Sequence, residues 1–419
     1  MPLLLLLLAR AQDLPESPQA TRSPAEEPQE IPPVQGYVDL HIHIAAHLAV
    51  PVYGQGPDAP IPDEQSAKHA LRPQIFTEQL AQPGPAILVS LAYANPFFTD
   101  FESRRSMRAR IERQLAYVDD FAARHADSFG LARSPEEARD ILASGRKAIV
   151  HGIEGATKIL DDADDARHWA ARGVAVVTPV HLADNAIGGA WCQGGSLFLL
   201  NVPGCWREAL APAHHGLTQK GAQRVAELVE AGIIVDLAHS SHASFAELLP
   251  ILRDHRVAPV YTHAIPEGVR RDPIAMTDDE YRQILDLGGL VAVTSNHSHL
   301  RPRPVPEGLP PDHCPGSIDD FRLHWDYFVG LAPQAPLAWG SDFQGGIDHP
   351  RPIYGRKGCL PRPSTGADTL DVLGLAHPGL VEPMFTKMAA QGADRSPLDR
   401  SAEAFLQIWS RARAAARLP

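Results

Sequence analysis

The sequence is poor in cysteine, and its basic residues are outnumbered by acidic ones. None of its four cysteines belongs to a Cys-x-x-Cys pair, which argues against a cysteine-ligated zinc site. An even number of cysteines suits one or two disulfides in an exported protein, and buried or free thiols are the alternative. The 38 basic and 50 acidic residues give a net charge of -12, which repels phosphate backbones and argues against a nucleic-acid partner.

The sequence also lacks a long apolar run. None approaches the roughly 20 residues that span a bilayer, so we expect no transmembrane helix. The N-terminus has a short leucine run followed by Ala9-Arg10-Ala11, a pattern typical of a signal-peptide cleavage site. Although the usual positively charged start is missing, we predict that residues 1–11 are a signal peptide and that the protein is exported to a periplasm or the exterior. The alternative is that the run is not a signal.

The remaining sequence divides into a polar leader and one large domain. Residues 12–36 are dense in Pro, Glu, Ser and Gln, a composition that cannot bury enough apolar surface to become ordered. Strand-like and helical patterns alternate over residues 37–419, which predicts βα units around a parallel sheet. We therefore expect a disordered leader and a single domain.

Eight strands are predicted in this domain, and helical patterns lie between them. The strands are residues 37–44, 86–94, 147–154, 174–182, 232–239, 258–264, 289–295 and 336–341. This pattern predicts a (β/α)8 barrel of the TIM type, whose active site forms at the carboxyl ends of the strands. Long insertions, which often carry binding surface, occupy residues 51–74, 188–215, 300–316 and 345–378.

Five of the predicted strands end in histidine or carboxylate residues. The segments are Val38-Asp-Leu-His-Ile-His43, Ile149-Val-His-Gly-Ile-Glu154, Ile234-Val-Asp-Leu-Ala-His239, Val260-Tyr-Thr-His263 and Leu337-Ala-Trp-Gly-Ser-Asp342. Side chains at i and i+2 of a strand point the same way, so His41 and His43 can chelate a single cation. One such histidine is more often structural than a ligand, but five segments at the same end of a barrel predict a metal site.

The predicted ligands suit a pair of divalent cations. Glu154 is the candidate bridge, because two cations about 3.5–4 Å apart need an anion between them. His41 and His43 would complete one site, and His239 and His263 the other. Histidine and carboxylate ligands favour two Zn²⁺ ions, with Mn²⁺, Co²⁺ or Fe²⁺ as alternatives.

Three residues are candidates for catalysis. A water shared by two such cations becomes hydroxide near neutral pH and attacks a carbonyl or phosphoryl centre. Asp342 would accept the water proton and pass it to the leaving atom, while His181 would donate a hydrogen bond to the oxyanion. Glu154 would contribute to catalysis indirectly, by bridging the two metals.

The residues resemble the membrane (renal) dipeptidases, zinc peptidases of the amidohydrolase-like metal-dependent barrels. The similarity runs from about Tyr37 to the C-terminal helix. Its most specific stretches are Ile153-Glu-Gly155, Gly216-Leu-Thr-Gln-Lys-Gly221, Ile234-Val-Asp-Leu-Ala-His-Ser-Ser241, Pro259-Val-Tyr-Thr-His263 and Gly340-Ser-Asp-Phe-Gln-Gly345. The resemblance implies a dinuclear zinc centre bridged by Glu154, substrate contact by His181 and proton transfer by Asp342.

The sequence departs from this family at two positions. The first motif of the family usually reads His-x-Asp, whereas His43 here replaces the anionic ligand by a neutral one, which should make the bridging water more acidic. The family also has an arginine after the sixth strand that is expected to hold the peptide carboxylate, and Ile274 occupies that position. Arg270 or Arg271 could substitute, but from a different geometry.

These observations predict a metal-dependent hydrolase of small amides, most simply of dipeptides. One alternative is an amidohydrolase that acts on lactones, cyclic amides or phosphoesters, in which a carboxylated lysine such as Lys158 would bridge the metals. A second alternative is a metal-containing binding protein of the cell envelope without catalysis. We expect a small-molecule partner, and a homodimer is the default assembly.

Overall fold

The computed structural model of the protein describes residues 33–67, 70–93 and 103–416. The predicted signal peptide and most of the predicted leader lie outside these residues. Nine strands occur in the described part of the chain, all in one sheet. They are β1 (Val38–Ile42), β2 (Ile87–Tyr93), β3 (Phe129–Ala132), β4 (Lys147–Glu154), β5 (Val174–Thr178), β6 (Ile234–Val235), β7 (Val260–Ala264), β8 (Leu290–Thr294) and β9 (Ala338–Gly340).

Eight of the strands form a nearly closed parallel barrel, in the order β6-β5-β4-β2-β1-β9-β8-β7. Its two ends meet where Asp236 forms a parallel bridge with Val260, beside a hydrogen bond of 2.9 Å from the Leu237 amide to the Val260 carbonyl. Each of the eight coincides with a predicted strand, so the predicted (β/α)8 barrel is confirmed. The remaining strand, β3, was not predicted and pairs with the first half of β4.

Helices connect the strands and surround the barrel. In the described residues they are α1 (Thr77–Leu80), α2 (Arg104–Arg124), α3 (Pro135–Ala143), α4 (Ala163–Ala171), α5 (Val202–Leu210), α6 (Gln219–Glu230), α7 (His242–His255), α8 (Asp278–Asp286), α9 (His297–Leu300), α10 (Ile318–Leu331), α11 (Thr369–Leu373), α12 (Val381–Ala390), α13 (Ser396–Asp399) and α14 (Ser401–Ala415). Several begin at a hydroxyl that caps the first turn, such as Thr277, which forms a reciprocal capping box with Glu280 before α8. No helix in the described residues is both long and apolar enough to cross a membrane.

The apolar core has two layers. One cluster joins residues from all eight barrel strands to Phe405, Leu406 and Trp409 of α14, so these strand residues face the barrel interior and α14 closes one end of it. The Val38 amide, at the start of β1, donates to Ser401 at the start of α14, which places this closure at the amino ends of the strands. A second cluster lies between the strands and the surrounding helices. The carboxyl ends of the strands stay free for a site.

Two disulfides tie the long insertions together. Cys192 pairs with Cys205 inside the predicted insertion 188–215, and Cys314 pairs with Cys359, which joins the insertions 300–316 and 345–378. The Cys192–Cys205 bond closes a segment that lines a cavity at the mouth of the barrel and continues into α5. These three insertions and the two disulfides therefore belong to the face of the barrel that carries the predicted ligands.

Candidate metal centre

The predicted site residues form a cluster at the mouth of the barrel. Two of its histidines, His41 and His43, lie at the end of β1 and are separated by one residue. The Nε2 atoms of His41 and His43 are 3.1 Å apart, as the shared direction of residues i and i+2 predicted. Asp39 fixes the backbone that presents them, because its Oδ1 accepts the amides of His41 and Ser341 at 3.0 Å each. The hydrogen bonds of Asp39 thus go to backbone amides and not to an imidazole.

Glu154, at the end of β4, lies between two groups of histidines. Its Oε2 is 3.5 Å from Nε2 of His43, and its Oε1 is 3.1 Å from Nε2 of His239. The Nε2 atoms of His41 and His181 each lie 3.4 Å from the same Oε1. This is the position that a carboxylate bridge between two cations requires.

Thr262 determines which nitrogen of two histidines carries the proton. Its hydroxyl donates to Asp236 Oδ2 at 2.8 Å, and it lies 2.9 Å from Nδ1 of both His41 and His263. Since a hydroxyl has one proton and two lone pairs, both Nδ1 atoms must donate to it. Asp236 therefore helps to orient the imidazoles of two predicted ligands through the hydroxyl of Thr262.

The histidine tautomers make this cluster fit a cation. Nδ1 of His43 is 3.0 Å from the Leu91 carbonyl and must donate to it. The Nε2 atoms of neutral His41 and His43 then both present lone pairs, and two lone pairs 3.1 Å apart repel each other unless a proton or a cation lies between them. The donor set of imidazole nitrogens and carboxylate oxygens is the one that Zn²⁺ prefers.

A second set of histidines lies on the other side of Glu154. His239 Nε2 is 3.0 Å from Nε2 of His263, and the ring of His181 stands edge-on to that of His239 at 4.6 Å between centroids. The possible ligand atoms lie within 4.8 Å of one another in two groups, His41 with His43 and Glu154, and Glu154 with His181 and His239. The structure thus brings together all seven predicted site residues, and it places His181 as near to Glu154 as the predicted ligands are.

The electrostatics of the cluster favour added positive charge. Burial raises the pKa of Glu154 to about 8, although His43 opposes this shift. Burial also lowers the pKa of His239 to about 4 and of His263 to about 3, so these imidazoles are neutral. For His43, contact with Asp342 and the charge of Glu154 outweigh burial and raise the pKa. A buried carboxylate beside neutral imidazoles, such as Glu154 beside His239, is stabilised by a bound cation.

Asp342 reaches the cluster from a strained turn after β9. Its backbone has φ 55°, in the left-handed region that non-glycine residues rarely adopt, and its amide donates to the His41 carbonyl at 2.7 Å. Its Oδ1 lies 3.3 Å from Nε2 of His43 and 3.7 Å from Nε2 of His41. A Cβ at Gly345 would come within 1.6 Å of this oxygen, so a glycine is required there. Strain at such a residue is typical of functional sites.

The cluster opens into a cavity of about 800 Å³. Its wall combines apolar side chains such as Trp191, Ile265 and Ile274 with charged and polar ones, including Arg270 and His299. The indole of Trp191 packs against the ring of His239, 4.9 Å away. Lys158, the alternative metal bridge, is neither among the described residues that line this cavity nor among those in the metal-type groups.

Several residues that shape the site were not predicted from the sequence. Thr262 directly precedes His263, yet its role depends on a contact with His41 that is 221 positions away. Tyr93 ends β2 beside the rings of His43 and His181, and the rule that strand ends carry site residues could have found it. His299 lies in α9, where no local pattern marks it.

Fold and site together define a (β/α)8 barrel with a histidine–carboxylate cluster, a candidate metal centre, at its mouth. The family model described as "Membrane dipeptidase (Peptidase family M19)" matches residues 42–353. The chain belongs to this family of metallopeptidases, which confirms the resemblance read from the sequence. Membership implies a metal cofactor, and the cluster provides candidate ligands for it.

Curated relatives have similar sequences over part of their length. Dipeptidase verJ of Clonostachys rogersoniana is 28% identical over 201 residues, which are 48% of this chain and 46% of that protein. Dipeptidase tcpJ of Claviceps purpurea is 28% identical over 259 residues, covering 60% of this chain and 52% of the relative. The chain thus spans about half the length of the curated relatives that it matches.

Solved structures share the fold over nearly the whole chain. The probable dipeptidase PvdM from Pseudomonas aeruginosa has a TM-score of 0.68 at 17% identity, with 91% of this chain and 96% of that chain covered. A metallopeptidase from Rhodobacter sphaeroides, solved with a phosphinate mimic of the dipeptide L-Ala-D-Ala, has a TM-score of 0.64 at 17% identity, with coverages of 90% and 99%. At these identities the likeness concerns the fold.

Proposed function

We propose that the protein is a metal-dependent hydrolase that cleaves the C–N bond of small amides, most simply of dipeptides, with two zinc ions. The observation that carries this proposal is the position of Glu154 between two histidine groups inside the cavity. Family membership supports a dipeptidase, and the donor set supports zinc.

The roles of the chain's own residues follow from their places. Glu154 would bridge the two metals, with His41 and His43 on one and His239 with His263 on the other. Two bound Zn²⁺ ions supply an acidified water as nucleophile. Thr262 and Asp236 keep the ligand imidazoles neutral and correctly turned, which preorganises the site before metal binds.

Asp342 and His181 would handle the proton and the substrate carbonyl. Asp342 Oδ1 faces the cluster, and the Asp342 side chain is 15% exposed. This carboxylate can therefore accept a proton from water and deliver it to the leaving nitrogen. His181 also lines the cavity, and burial and neighbouring histidines lower its pKa well below the usual value. A neutral imidazole at this place can donate a hydrogen bond to the substrate oxygen.

Zinc loading and three variants test the proposal. We expect purified protein to bind about two Zn²⁺ per chain and to hydrolyse dipeptides, with activity lost on chelation and restored by zinc. Glu154→Gln should lose metal and activity, whereas Asp342→Asn should keep its zinc and lose kcat by about 100-fold or more. Asp164→Asn, at an exposed helix position, is the matched control.

Full turnover by Asp342→Asn would contradict the assigned proton transfer. A panel of dipeptides, acyl amino acids, lactones and phosphoesters separates the alternatives. Turnover of lactones or phosphoesters without amide cleavage would favour the wider amidohydrolase chemistry. Metal binding without turnover of any compound would favour a binding protein of the envelope.

We also propose that the protein works outside the reducing cytoplasm. Two disulfides support this, because such bonds persist in oxidising compartments. Thiol titration of the denatured, unreduced protein from an exporting host should find no free thiol, and four free thiols would contradict export. The predicted homodimer is tested by light scattering of the same sample.

A further inference from the structure

The large apolar side chains that are exposed to solvent share one face of the barrel, the mouth face at the carboxyl ends of its strands. In the described part of the chain there are seven of them, and all lie in the insertions at residues 51–74, 188–215 and 300–316. Single exposed apolar residues are ordinary, but their confinement to one face is typical of an interaction surface. The seven side chains are Val52, Ile61, Leu71, Leu199, Trp206, Leu210 and Val305.

Helix α5, in the insertion 188–215, turns its apolar side outward. Trp206 and Leu210 are one turn apart, so they share a face of the helix, and they are 62% and 81% exposed. The opposite side holds Gly204 and Cys205, which are buried. A Cβ at Gly204 would come within 2.5 Å of Oδ1 of Asp184, so α5 packs closely against the protein through this small side. The apolar face of α5, defined by Trp206 and Leu210, is therefore left to solvent.

Covalent and polar contacts hold α5 in this orientation. Cys205 is bonded to Cys192, whose amide donates to Glu208 at 2.8 Å. Arg207 Nη2 lies 2.9 Å from Asp184 Oδ2, so both charged side chains of α5 have partners. The helix cannot turn its apolar face inward without breaking these contacts. With its charges paired, this face can meet an apolar surface without desolvating an unpaired charge.

Other exposed apolar residues lie around the entrance of the cavity. Leu71 itself lines the cavity and is 63% exposed. Val52 is next to the lining residue Tyr53, and Leu199 lies two residues after Leu197, another lining residue. In the sheet, β1 and β5 are separated by β2 and β4, so the insertions that follow them reach the entrance from different sides. A surface wider than the entrance is needed to contact these residues together with α5.

The charges of the insertions allow contact with a lipid surface that has no net charge. The insertions at residues 51–74, 188–215, 300–316 and 345–378 contain nine basic and nine acidic residues, so the net charge of -12 belongs to the rest of the chain. An anionic lipid surface would repel that charge over a Debye length of about 8 Å. Zwitterionic headgroups do not repel it.

We propose that the mouth face of this protein docks on the surface of a zwitterionic phospholipid bilayer, with the apolar face of α5 inserted among the headgroups. Tryptophan and leucine are side chains that interfacial helices insert in this way. The contact is made by the insertions themselves and turns the cavity entrance toward the lipid. A second copy of the chain would need a surface shaped to the insertions, whereas a bilayer adapts to them. The inference concerns where the protein works and does not depend on the proposed hydrolysis.

Vesicle binding by the purified full chain tests the inference. We expect the protein to float with phosphatidylcholine vesicles, and to bind more weakly at low salt when about a third of the lipid is phosphatidylglycerol. The fluorescence of Trp206 reports the contact, because the other five tryptophans are at most 5% exposed. The emission should shift to the blue on vesicles. This shift should be absent in Trp206→Phe, which keeps an apolar side chain and should still bind.

Polar substitutions on the apolar face of α5 should weaken vesicle binding. Leu210→Ser should lower the partition coefficient about tenfold, and Trp206→Ser with Leu210→Ser about 100-fold, because the bilayer no longer buries these apolar side chains. Both positions are exposed, so the urea unfolding midpoint should not change. Asp164→Ser, at an exposed position of α4, is the matched control and should bind as the wild type. The leucine run at residues 3–8 is the same in every variant, so binding through that run would not respond to these substitutions.

The results distinguish this inference from its alternatives. Equal vesicle binding by the wild type and the double variant, or no binding of the wild type to phosphatidylcholine, contradicts it. Tighter binding to the anionic vesicles contradicts the assignment of the headgroups. A wild-type dimer in light scattering that the double variant loses, without vesicle binding, assigns the apolar face of α5 to a second copy of the chain and overturns the inference. Vesicle binding through this face by a protein that hydrolyses no amide supports the inference and overturns only the proposed function.

Discussion

At the scale of single residues, the candidate centre depends on a hydroxyl that cannot itself bind the metals. The Thr262 hydroxyl accepts hydrogen bonds from the Nδ1–H groups of two predicted ligands, His41 and His263, and donates one to Asp236. One side chain thereby fixes the tautomers of both His41 and His263, whose ring centroids are 4.4 Å apart. Groups that orient ligands in this way commonly change metal affinity by 10–100-fold when they are removed.

Replacement of Thr262 by valine tests this coupling. Thr262→Val preserves the shape of the side chain but leaves both Nδ1 atoms without their acceptor, so we expect zinc affinity to fall about 10- to 100-fold. The measurement is competitive titration with a chromogenic chelator. Thr178→Val is the matched control, because the Thr178 hydroxyl also donates to Asp236 Oδ2, at 2.7 Å, but has no hydrogen bond with the imidazole of a predicted ligand. An equal loss in both variants would assign the effect to Asp236 alone.

The sequence predicted which residues meet at the cluster better than it predicted the residues that orient them. Glu154, His239 and Asp342 follow strands, so the barrel geometry alone brings them to one mouth. The contact between Thr262 and His41 depends on how β1 and β7 approach each other, and no local pattern encodes that distance. The same limit applies to His299, whose helix offers no periodic or spacing signal.

At the scale of elements, strand β3 shows what an eight-strand pattern hides. It has only four residues, Phe-Gly-Leu-Ala, too few for an alternating signal. Its Gly130 lies against Ile141 of α3, where a Cβ would come within 2.7 Å of that side chain. Strand β3 forms because it pairs with β4 and packs against α3. Neither contact can be predicted from a segment of four residues.

The two disulfides should affect different properties of the protein. Chain entropy predicts that the bond closing the 13-residue separation contributes about 3 kcal/mol and the one closing 45 residues about 4 kcal/mol. We expect Cys192→Ser with Cys205→Ser to raise KM, because this bond constrains the segment that brings Gln193 and Leu197 to the cavity. The pair Cys314→Ser and Cys359→Ser should lower the unfolding free energy more.

Denaturant unfolding and steady-state kinetics of the two double variants check this expectation. Reduction of the wild type should reproduce the sum of both effects, because the structure has no free cysteine whose reaction would confuse the result. An unchanged KM in the first double variant would show that its segment keeps its position without the covalent bond.

At the scale of the whole molecule, the barrel separates the candidate site from the end that stabilises the fold. Residues from His41 to Asp342 meet at the carboxyl ends of the strands, while α14 closes the amino ends. Lys147 begins β4 at that closed end, where its ammonium donates to the carbonyls of Leu80 and Gln82 at 2.8 and 2.5 Å. Burial lowers the pKa of Lys147 to about 8.

This depressed pKa predicts that the protein becomes more stable as the pH rises from 7 to 9.5. In that range the unfolded chain, whose lysine pKa is about 10.4, binds more protons than the folded chain, so the unfolding free energy increases with pH by about 2 kcal/mol from this group. Above pH 10 the gain should reverse, because burial raises the pKa of tyrosines such as Tyr53 and Tyr281, which ionise more readily once unfolded.

Urea unfolding at several pH values should therefore show a shallower rise of the unfolding free energy in Lys147→Met than in the wild type. Lys357→Met, at an exposed position, should follow the wild type, and parallel curves for all three proteins would contradict the assignment to Lys147.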